Sequence, residues 1–429
     1  MKSVYFCTLG CKVNQYESQA MSEALEQNGF VISNENDKAD IIVVNSCTVT
    51  GESDRKTRQA VRRFRKLNPN SLIVLTGCMT QANPETFNIL PEADIVLGNN
   101  SNEKLLKKIN EFYIEKKREV DIIEHHTGDI FKKCSISGFN ERERAFIKIE
   151  DGCDRFCSYC IIPFARGRVR SKSLKDIKSE IEIISKNGYK EVVLVGINLS
   201  AFGKDTGYSI TDAIKIANDT PGIERVRLGS LEPDHMTDEI IDKLKTFDKF
   251  CPQFHLSLQS GSNNTLKRMN RHYTKEEYQS LCKKLRSAFK DCTITTDVMV
   301  GFPLETEEDF EESVEFCEKI GFEKVHVFPY SVREGTKAQK LEQIEKSIKE
   351  KRAKIMIERT DKIREYFFKN QVGKEFEVLV ESAKKDNFNI GYTKNYIPVC
   401  FKCEKEDVAK LIKIKITGYD KENCYGTKI

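Results

Sequence analysis

Six cysteines have the type and spacing that can do chemistry. Cys153, Cys157 and Cys160 lie in Asp151-Gly-Cys-Asp-Arg-Phe-Cys-Ser-Tyr-Cys160, at spacings of four and three. A loop this compact can wrap three thiolates around one face of a cubic iron–sulfur cluster, for which full ligation takes four. With three, one iron keeps an open position, and an open metal position can take a substrate where a closed structural site cannot. The competing reading is a three-cysteine zinc site completed by a distant histidine. The nearest candidates, His125 and His126, lie across a charged stretch.

The other three are far apart in sequence. Cys11 stands in Leu9-Gly-Cys-Lys, Cys47 in Asn45-Ser-Cys-Thr and Cys78 in Thr76-Gly-Cys-Met, at intervals of 36 and 31. Each follows a short apolar run. In a parallel sheet all strand C-termini share one edge, where ligands bind. Three distant thiols then converge, which implies a second cluster with a free iron. The competing reading is three small buried hydrophobes, since cysteine packs well in cores. Cys7 sits inside the first strand and reads as core. Cys134, Cys251, Cys282, Cys292, Cys317 and Cys424 have no partner spacing, and Cys400 with Cys403 is a lone pair.

The elements that must position these thiols follow from hydrophobic periodicity. Apolar strands at 3–9, 40–45, 72–76 and 94–97 alternate with helical stretches at 15–28, 52–67, 83–90 and 102–117. That alternation predicts a doubly wound parallel sheet. A charged, irregular stretch follows and reads as a linker. A second alternation places strands at 145–150, 191–196, 225–229, 254–259, 293–300 and 324–329, with helices between them. Six β/α units are too few for a closed eight-fold barrel, so the reading is a partial (β/α)6 barrel. A charged helix over about 340–370 leads to runs at 375–380, 390–401 and 411–417 that alternate apolar with polar. They predict a small antiparallel β-barrel.

Composition sets the class. Of 429 residues, 39% are hydrophobic, with 25 Phe and 14 Tyr, enough for packed cores. No apolar run reaches the roughly 18 residues of a membrane span. Val4–Leu9 is too short and polar for a secretory signal, so the 15 cysteines are expected to stay reduced in the cytoplasm. The net charge of +4, from 70 basic and 66 acidic residues, does not announce a nucleic-acid partner. Any such case must be local.

The spacing at 153–160, with Tyr159 before the last cysteine, resembles the radical S-adenosylmethionine superfamily. The resemblance implies that the open iron binds the amino and carboxylate groups of S-adenosylmethionine. One electron then cleaves the cofactor to methionine and a 5′-deoxyadenosyl radical. Two clusters in one chain resemble the methylthiotransferase family. So do Leu9-Gly-Cys-Lys-Val-Asn-Gln-Tyr-Glu-Ser18, His255-Leu-Ser-Leu-Gln-Ser-Gly261 and Thr296-Asp-Val-Met-Val-Gly-Phe-Pro303. Lys12-Val-Asn-Gln15, Ser331-Val-Arg-Glu-Gly-Thr336 and Gly391-Tyr-Thr-Lys-Asn-Tyr396 are similar to the branch acting on N6-threonylcarbamoyladenosine in tRNA. Leu304 departs from the family's usual Gly, and Lys337 from its common Pro.

The resemblance implies two [4Fe-4S] clusters, with S-adenosylmethionine as both radical source and methyl donor. It also implies a tRNA substrate modified at position 37 beside the anticodon, an electron donor such as a flavodoxin or ferredoxin, and a sulfur donor. The domains expected are an N-terminal cluster domain at 1–118, a linker at 119–142, a radical domain with helical extension at 143–371, and an RNA-binding TRAM barrel at 372–429. Alternatives are the same chemistry on isopentenyladenosine in tRNA or on a ribosomal protein, and a non-catalytic RNA-binding protein with metal sites.

Other strand ends supply polar groups for the cofactor. Beside Tyr159, the candidates are Gly196, Asn198, Glu232 and Gln259, against the alternative of ordinary turn residues. Two basic runs are candidate phosphate contacts, Arg58, Arg62 and Arg65 on one helix and Arg166, Arg168 and Arg170 after the radical triad. A solvated face is the plain alternative. Tyr392, Tyr396 and Phe401 could stack on bases or fill the barrel.

Overall fold

The computed structural model describes residues 1–139, 143–384 and 388–429. The chain forms two compact units. One combines Met1–Ser137, Glu150–Lys172 and Ser331–Gln339; the other combines Gly138–Ile149, Ser173–Tyr330 and Lys340–Ile429. The contiguous boundaries read from sequence therefore miss two returns of the chain. The cysteine loop at 150–172 and the segment 331–339 pack with the N-terminal sheet rather than with the β/α array around them in sequence.

The first unit is built on a six-stranded, wholly parallel sheet. In spatial order its strands are Val31–Ile32, Ser3–Thr8, Ile41–Ser46, Leu72–Gly77, Ile95–Leu97 and Glu119–Asp121. Alternate residues feed two cores, as strand geometry requires. Val4, Val43 and Val74 pack on one face against Met21 and Ile109, while Val44, Ile73 and Val96 pack on the other against Val61 and Phe64. Strand order reverses between Ser3–Thr8 and Ile41–Ser46, which is the switch point where doubly wound folds bind ligands. Cys11 and Cys47 follow those two strands.

Glu119–Asp121 corrects the linker reading. It is an edge strand, tied down by Lys104–Asp121 at 2.8 Å, by the Lys108–Glu119 pair, and by the Arg118 guanidinium on the Ala93 carbonyl at 2.8 Å. One valine between two acids is too short a run to give a period-2 signal. The end of the expected linker, 140–142, lies outside the described residues.

The second unit carries the expected six parallel β/α strands, in two sheets. Arg144–Lys148, Glu191–Val195 and Arg225–Leu228 form one; Ser230–Leu231, Gln253–Leu256, Thr293–Val300 and Lys324–Pro329 form the other. Gly229 breaks the third strand between them. Among the described residues, the first and last strands do not pair, so the array is open. Helix Lys346–Lys369 leads to a closed five-stranded barrel. The run at 390–401 is two strands, Phe388–Thr393 and Pro398–Phe401. They are joined by a turn in which the Thr393 amide donates to the Ile397 carbonyl at 3.1 Å.

Leu304 occupies a position built for glycine. The Glu305 amide donates to the Phe302 carbonyl at 2.9 Å, closing a turn with Pro303 then Leu304 at its centre. Leu304 has φ +63°, the left-handed value a type II turn demands at that place. A side chain there costs about 1–2 kcal/mol. Part of this is offset by the greater unfolded-state freedom of glycine, about 0.4–1 kcal/mol. Leu304→Gly is expected to raise stability by about 0.5–1 kcal/mol in denaturant titration. An unchanged midpoint would mean that the turn relaxes around leucine.

Candidate functional site

The first unit contains both cysteine triads. Cys11 precedes helix Lys12–Glu26, Cys47 follows Ile41–Ser46, and Cys78 opens the short helix after Leu72–Gly77. Cys47 and Cys78 are buried; Cys11 is exposed. Asn14 ties the first two loops together. Its side-chain oxygen accepts from the Cys11 thiol at 3.2 Å, and its amide donates to the Ser46 carbonyl at 2.9 Å. The Ser46 hydroxyl accepts from the Met79 amide at 3.2 Å, drawing in the third loop. Three thiols from three strand ends therefore share one neighbourhood. Desolvation raises the Cys78 thiol to about 12, and the protein packed around Cys11 pushes that thiol up as well although its surface is open. Arg166 opposes both shifts, while the neighbouring thiols and Glu17 add to them.

The second loop is pinned at its base. Glu150–Asp151 pairs antiparallel with Arg170–Ser171, and the Cys153 amide donates to the Gly167 carbonyl at 3.0 Å. Gly152 has φ +90°, and a Cβ there would lie 1.9 Å from the Arg168 carbonyl oxygen. Only glycine lets the chain turn into the cysteine loop at this point. Cys153, Cys157 and Cys160 are all half-buried. Within the loop, Phe156 meets Phe164 edge-on at 6.2 Å and lies under the Arg168 guanidinium at 4.7 Å.

Among the described residues, no three His, Cys, Asp or Glu side chains are placed to hold one metal ion. Gly10 tests whether the residues present leave space for a larger group. With φ +113°, a Cβ there would sit 2.8 Å from Cys47 Cβ and 3.2 Å from its sulfur. The missing side chain leaves room above the Cys47 thiol.

A strap completes this unit. The Gly51 amide donates to Ser331 Oγ at 2.9 Å. Arg333 donates to Thr48 Oγ1 at 2.7 Å and to Asp54 at 2.6 Å. The Ala338 amide donates to the Ser158 carbonyl at 2.8 Å. One segment therefore touches the turn after Cys47 and the loop between Cys157 and Cys160.

The basic residues separate. Arg166 and Arg170 are buried and unavailable to phosphate, which corrects the sequence reading. Arg166 pairs with Glu17 and places Nε 3.1 Å from the Cys78 sulfur. Arg170 donates to the Arg168 carbonyl at 2.8 Å and faces Asp151 at 3.4 Å. Arg65 is also a correction. It donates to the Glu92, Pro69 and Ser71 carbonyls at 2.9–3.1 Å and to Asp94 at 2.5 Å, so it holds a loop. Arg168 and Arg62 are exposed and Arg58 is half-exposed. Tyr392 and Tyr396 stack on each other at 4.6 Å. Arg144 lies 4.5 Å from the first ring and Arg227 4.7 Å from the second, while Phe401 is buried. These three rings are occupied inside the second unit and are not free for bases.

Of the cofactor candidates, Tyr159 is half-buried in the first unit's cysteine loop. The others end strands of the second unit. Gly196 and buried Asn198 follow Glu191–Val195, and the Glu232 amide donates to Ser200 Oγ at 2.8 Å, bringing those two strand ends together. The Glu232 carboxylate pairs with buried Arg271. Gln259 takes φ +67°, its amide donating to the Asp297 carbonyl at 2.8 Å. Sequence reasoning missed Arg271 and Glu17. Arg271 carries no spacing signal. Glu17 had one: an acid beside Tyr16, on the stripe of Val13 and Met21 that helix Lys12–Glu26 buries.

Comparison with known proteins follows the same plan. Residues 3–98 match Uncharacterized protein family UPF0004, 147–317 the Radical SAM superfamily, and 369–421 the TRAM domain. Threonylcarbamoyladenosine tRNA methylthiotransferase MtaB of Bacillus subtilis is 36% identical, over 98% of this chain and 95% of that one. The protein of the same name from Aquifex aeolicus is 39% identical, over 96% and 100%. A tRNA-2-methylthio-N(6)-dimethylallyladenosine synthase of Clostridium botulinum is 34% identical, over 98% and 96%. Among solved structures, the radical S-adenosylmethionine methyltransferase TsrM from Kitasatospora setae superposes with TM-score 0.57 at 14% identity, covering 79% of this chain and 77% of that one. That likeness is one of fold. No helix among the described residues is long and apolar enough to cross a membrane.

Proposed function

The chain belongs to the radical S-adenosylmethionine methylthiotransferase family, and from that premise we propose that it converts N6-threonylcarbamoyladenosine at position 37 of tRNA to its 2-methylthio derivative. The observation that carries this reading is the gathering of two cysteine triads, one in a single loop and one at three strand ends, in one compact unit. The choice of nucleoside follows identity, 36–39% to the threonylcarbamoyladenosine enzymes against 34–35% to the dimethylallyladenosine ones.

In this reading Cys153, Cys157 and Cys160 hold one [4Fe-4S] cluster, and Cys11, Cys47 and Cys78 hold the auxiliary one. When bound, the clusters and S-adenosylmethionine supply the electron, the hydrogen-abstracting radical, the sulfur and the methyl group. The chain's own contribution is placement. Gly10 leaves space at the Cys47 thiol, and Gly152 lets the radical loop pass the Arg168 carbonyl. The Asn14 side chain joins two of the auxiliary loops, and the strap at 331–339 ties the turn after Cys47 to the radical loop. Gly196, Asn198, Glu232 and Gln259, with Tyr159, are assigned to the cofactor. An electron donor such as a flavodoxin or ferredoxin and a sulfur donor complete the system, which works in the cytoplasm, where tRNA is.

Nucleoside mass spectrometry of tRNA from a deletion strain tests the reading. Loss of 2-methylthio-N6-threonylcarbamoyladenosine is expected. Loss of the dimethylallyl-type product instead would move the chain to the sister branch.

Phosphate contacts are assigned to the open side of helix Gly51–Leu67 and to Arg168. Neutralising Arg58, Arg62 and Arg63 to Gln, with Arg65 left to hold its loop, is expected to weaken tRNA binding. The slope of log affinity against log salt should shrink by roughly 0.9 per lost duplex contact, or 0.7 for single strands. Parallel slopes across a salt series would make this helix a solvated face and leave Arg168 and the barrel's outward Lys413 and Lys415 to bind RNA.

A further inference from the structure

Arg166 is almost wholly buried, with 1% of its side chain exposed. A guanidinium loses several kcal/mol of hydration on burial, so it is found only where partners replace the water. Both Glu17 oxygens accept from it, at 2.9 Å for Oε2, and Asp151 lies 3.6 Å away. Two carboxylates already balance its charge. Its Nε is aimed at the Cys78 sulfur at 3.1 Å. The neighbouring backbone is held too, because the Ala165 carbonyl accepts from Asn99 Nδ2 at 2.7 Å. Cys11, by contrast, faces the neutral Asn14 oxygen. One corner of the auxiliary triad therefore receives a fixed cationic donor.

We infer that Arg166, oriented by Glu17, is a positioning residue that sets the reduction potential of the auxiliary cluster through its hydrogen bond to the Cys78 thiolate. A hydrogen bond to a ligand sulfur, and a nearby positive charge, favour the added electron and raise a cluster's potential. The guanidinium stands six residues beyond Cys160, with Asp151 of the radical loop's base beside it. The auxiliary corner and the radical loop are thus registered by one side chain. The inference rests on Cys11, Cys47 and Cys78 being cluster ligands.

The test is a redox titration followed by electron paramagnetic resonance on reconstituted full-length protein. It compares wild type with Arg166→Gln, Arg166→Lys and Glu17→Gln, with iron content measured on each. The auxiliary signal should move to lower potential in Arg166→Gln and by less in Arg166→Lys, which keeps the charge. Glu17→Gln loses a nearby carboxylate, which raises the potential, and the guanidinium's anchor, which lowers it, so its signal should stay above that of Arg166→Gln. The radical-cluster signal serves as internal reference. If Arg166→Gln fails to load, Arg166→Lys carries the comparison. An auxiliary potential unmoved in the variants that load, or an equal shift of both signals, overturns the inference and leaves Arg166 as a structural clamp. Wild-type protein with only one cluster's iron would instead overturn the ligand assignment beneath it.

Discussion

Replacing Cys153, Cys157 and Cys160 together by Ala gives a protein that takes up about four irons where the parent takes up about eight, and that no longer cleaves S-adenosylmethionine. The loop's backbone is set by features that the substitution leaves alone. These are the Gly152 turn, the Cys153 amide on the Gly167 carbonyl and the Glu150–Asp151 pairing with Arg170–Ser171. The variant should therefore fold and keep the auxiliary site, since Cys11, Cys47 and Cys78 follow strand ends of the parallel sheet. Iron analysis and detection of 5′-deoxyadenosine after anaerobic reduction read the two effects. Unchanged iron content would remove these cysteines from the ligand set.

The converse substitution separates the two halves of the reaction. With Cys11, Cys47 and Cys78 replaced by Ala, S-adenosylmethionine is still cleaved, but no methylthio product appears on tRNA. Cys47 and Cys78 are buried, and alanine is smaller, so some stability is lost; the same measurement should include a melting curve. A normal product yield in a folded variant would reduce this triad to core packing, the alternative reading of three small buried side chains.

How much of this could be read from the sequence depended on how local the cause was. The convergence of Cys11, Cys47 and Cys78 was legible because a parallel sheet forces strand ends together, and a Gly or Ser stood before each cysteine. The glycines before Cys11 and Cys153 prove to be the residues whose missing Cβ makes room. Leu304 was legible as an oddity, and its positive φ gives the reason. The fate of the arginines was not legible. In Arg166-Gly-Arg-Val-Arg170, three cations at alternate positions look alike, yet the first and last are buried and the middle one is exposed. What buries Arg166 is Glu17, 149 residues upstream. Arg65 was missed for a similar reason. Its partners are carbonyls of its own and the following loop, and a helical wheel cannot show them. The edge strand Glu119–Asp121 was lost because three residues are too few to carry a period.

The strap at 331–339 has a consequence for how the molecule is made. Its contacts join residues 279–285 positions apart, from Arg333 and Ser331 back to Thr48, Gly51 and Asp54. Contacts of such separation form late, because the intervening chain must close first. During synthesis the N-terminal sheet can form long before residue 331 leaves the ribosome, as domains generally fold in order of emergence. Until then the Asp54 carboxylate and the Thr48 hydroxyl, next to Cys47, have water where Arg333 will be. The part of the chain that is synthesised first is thus among the last to be finished.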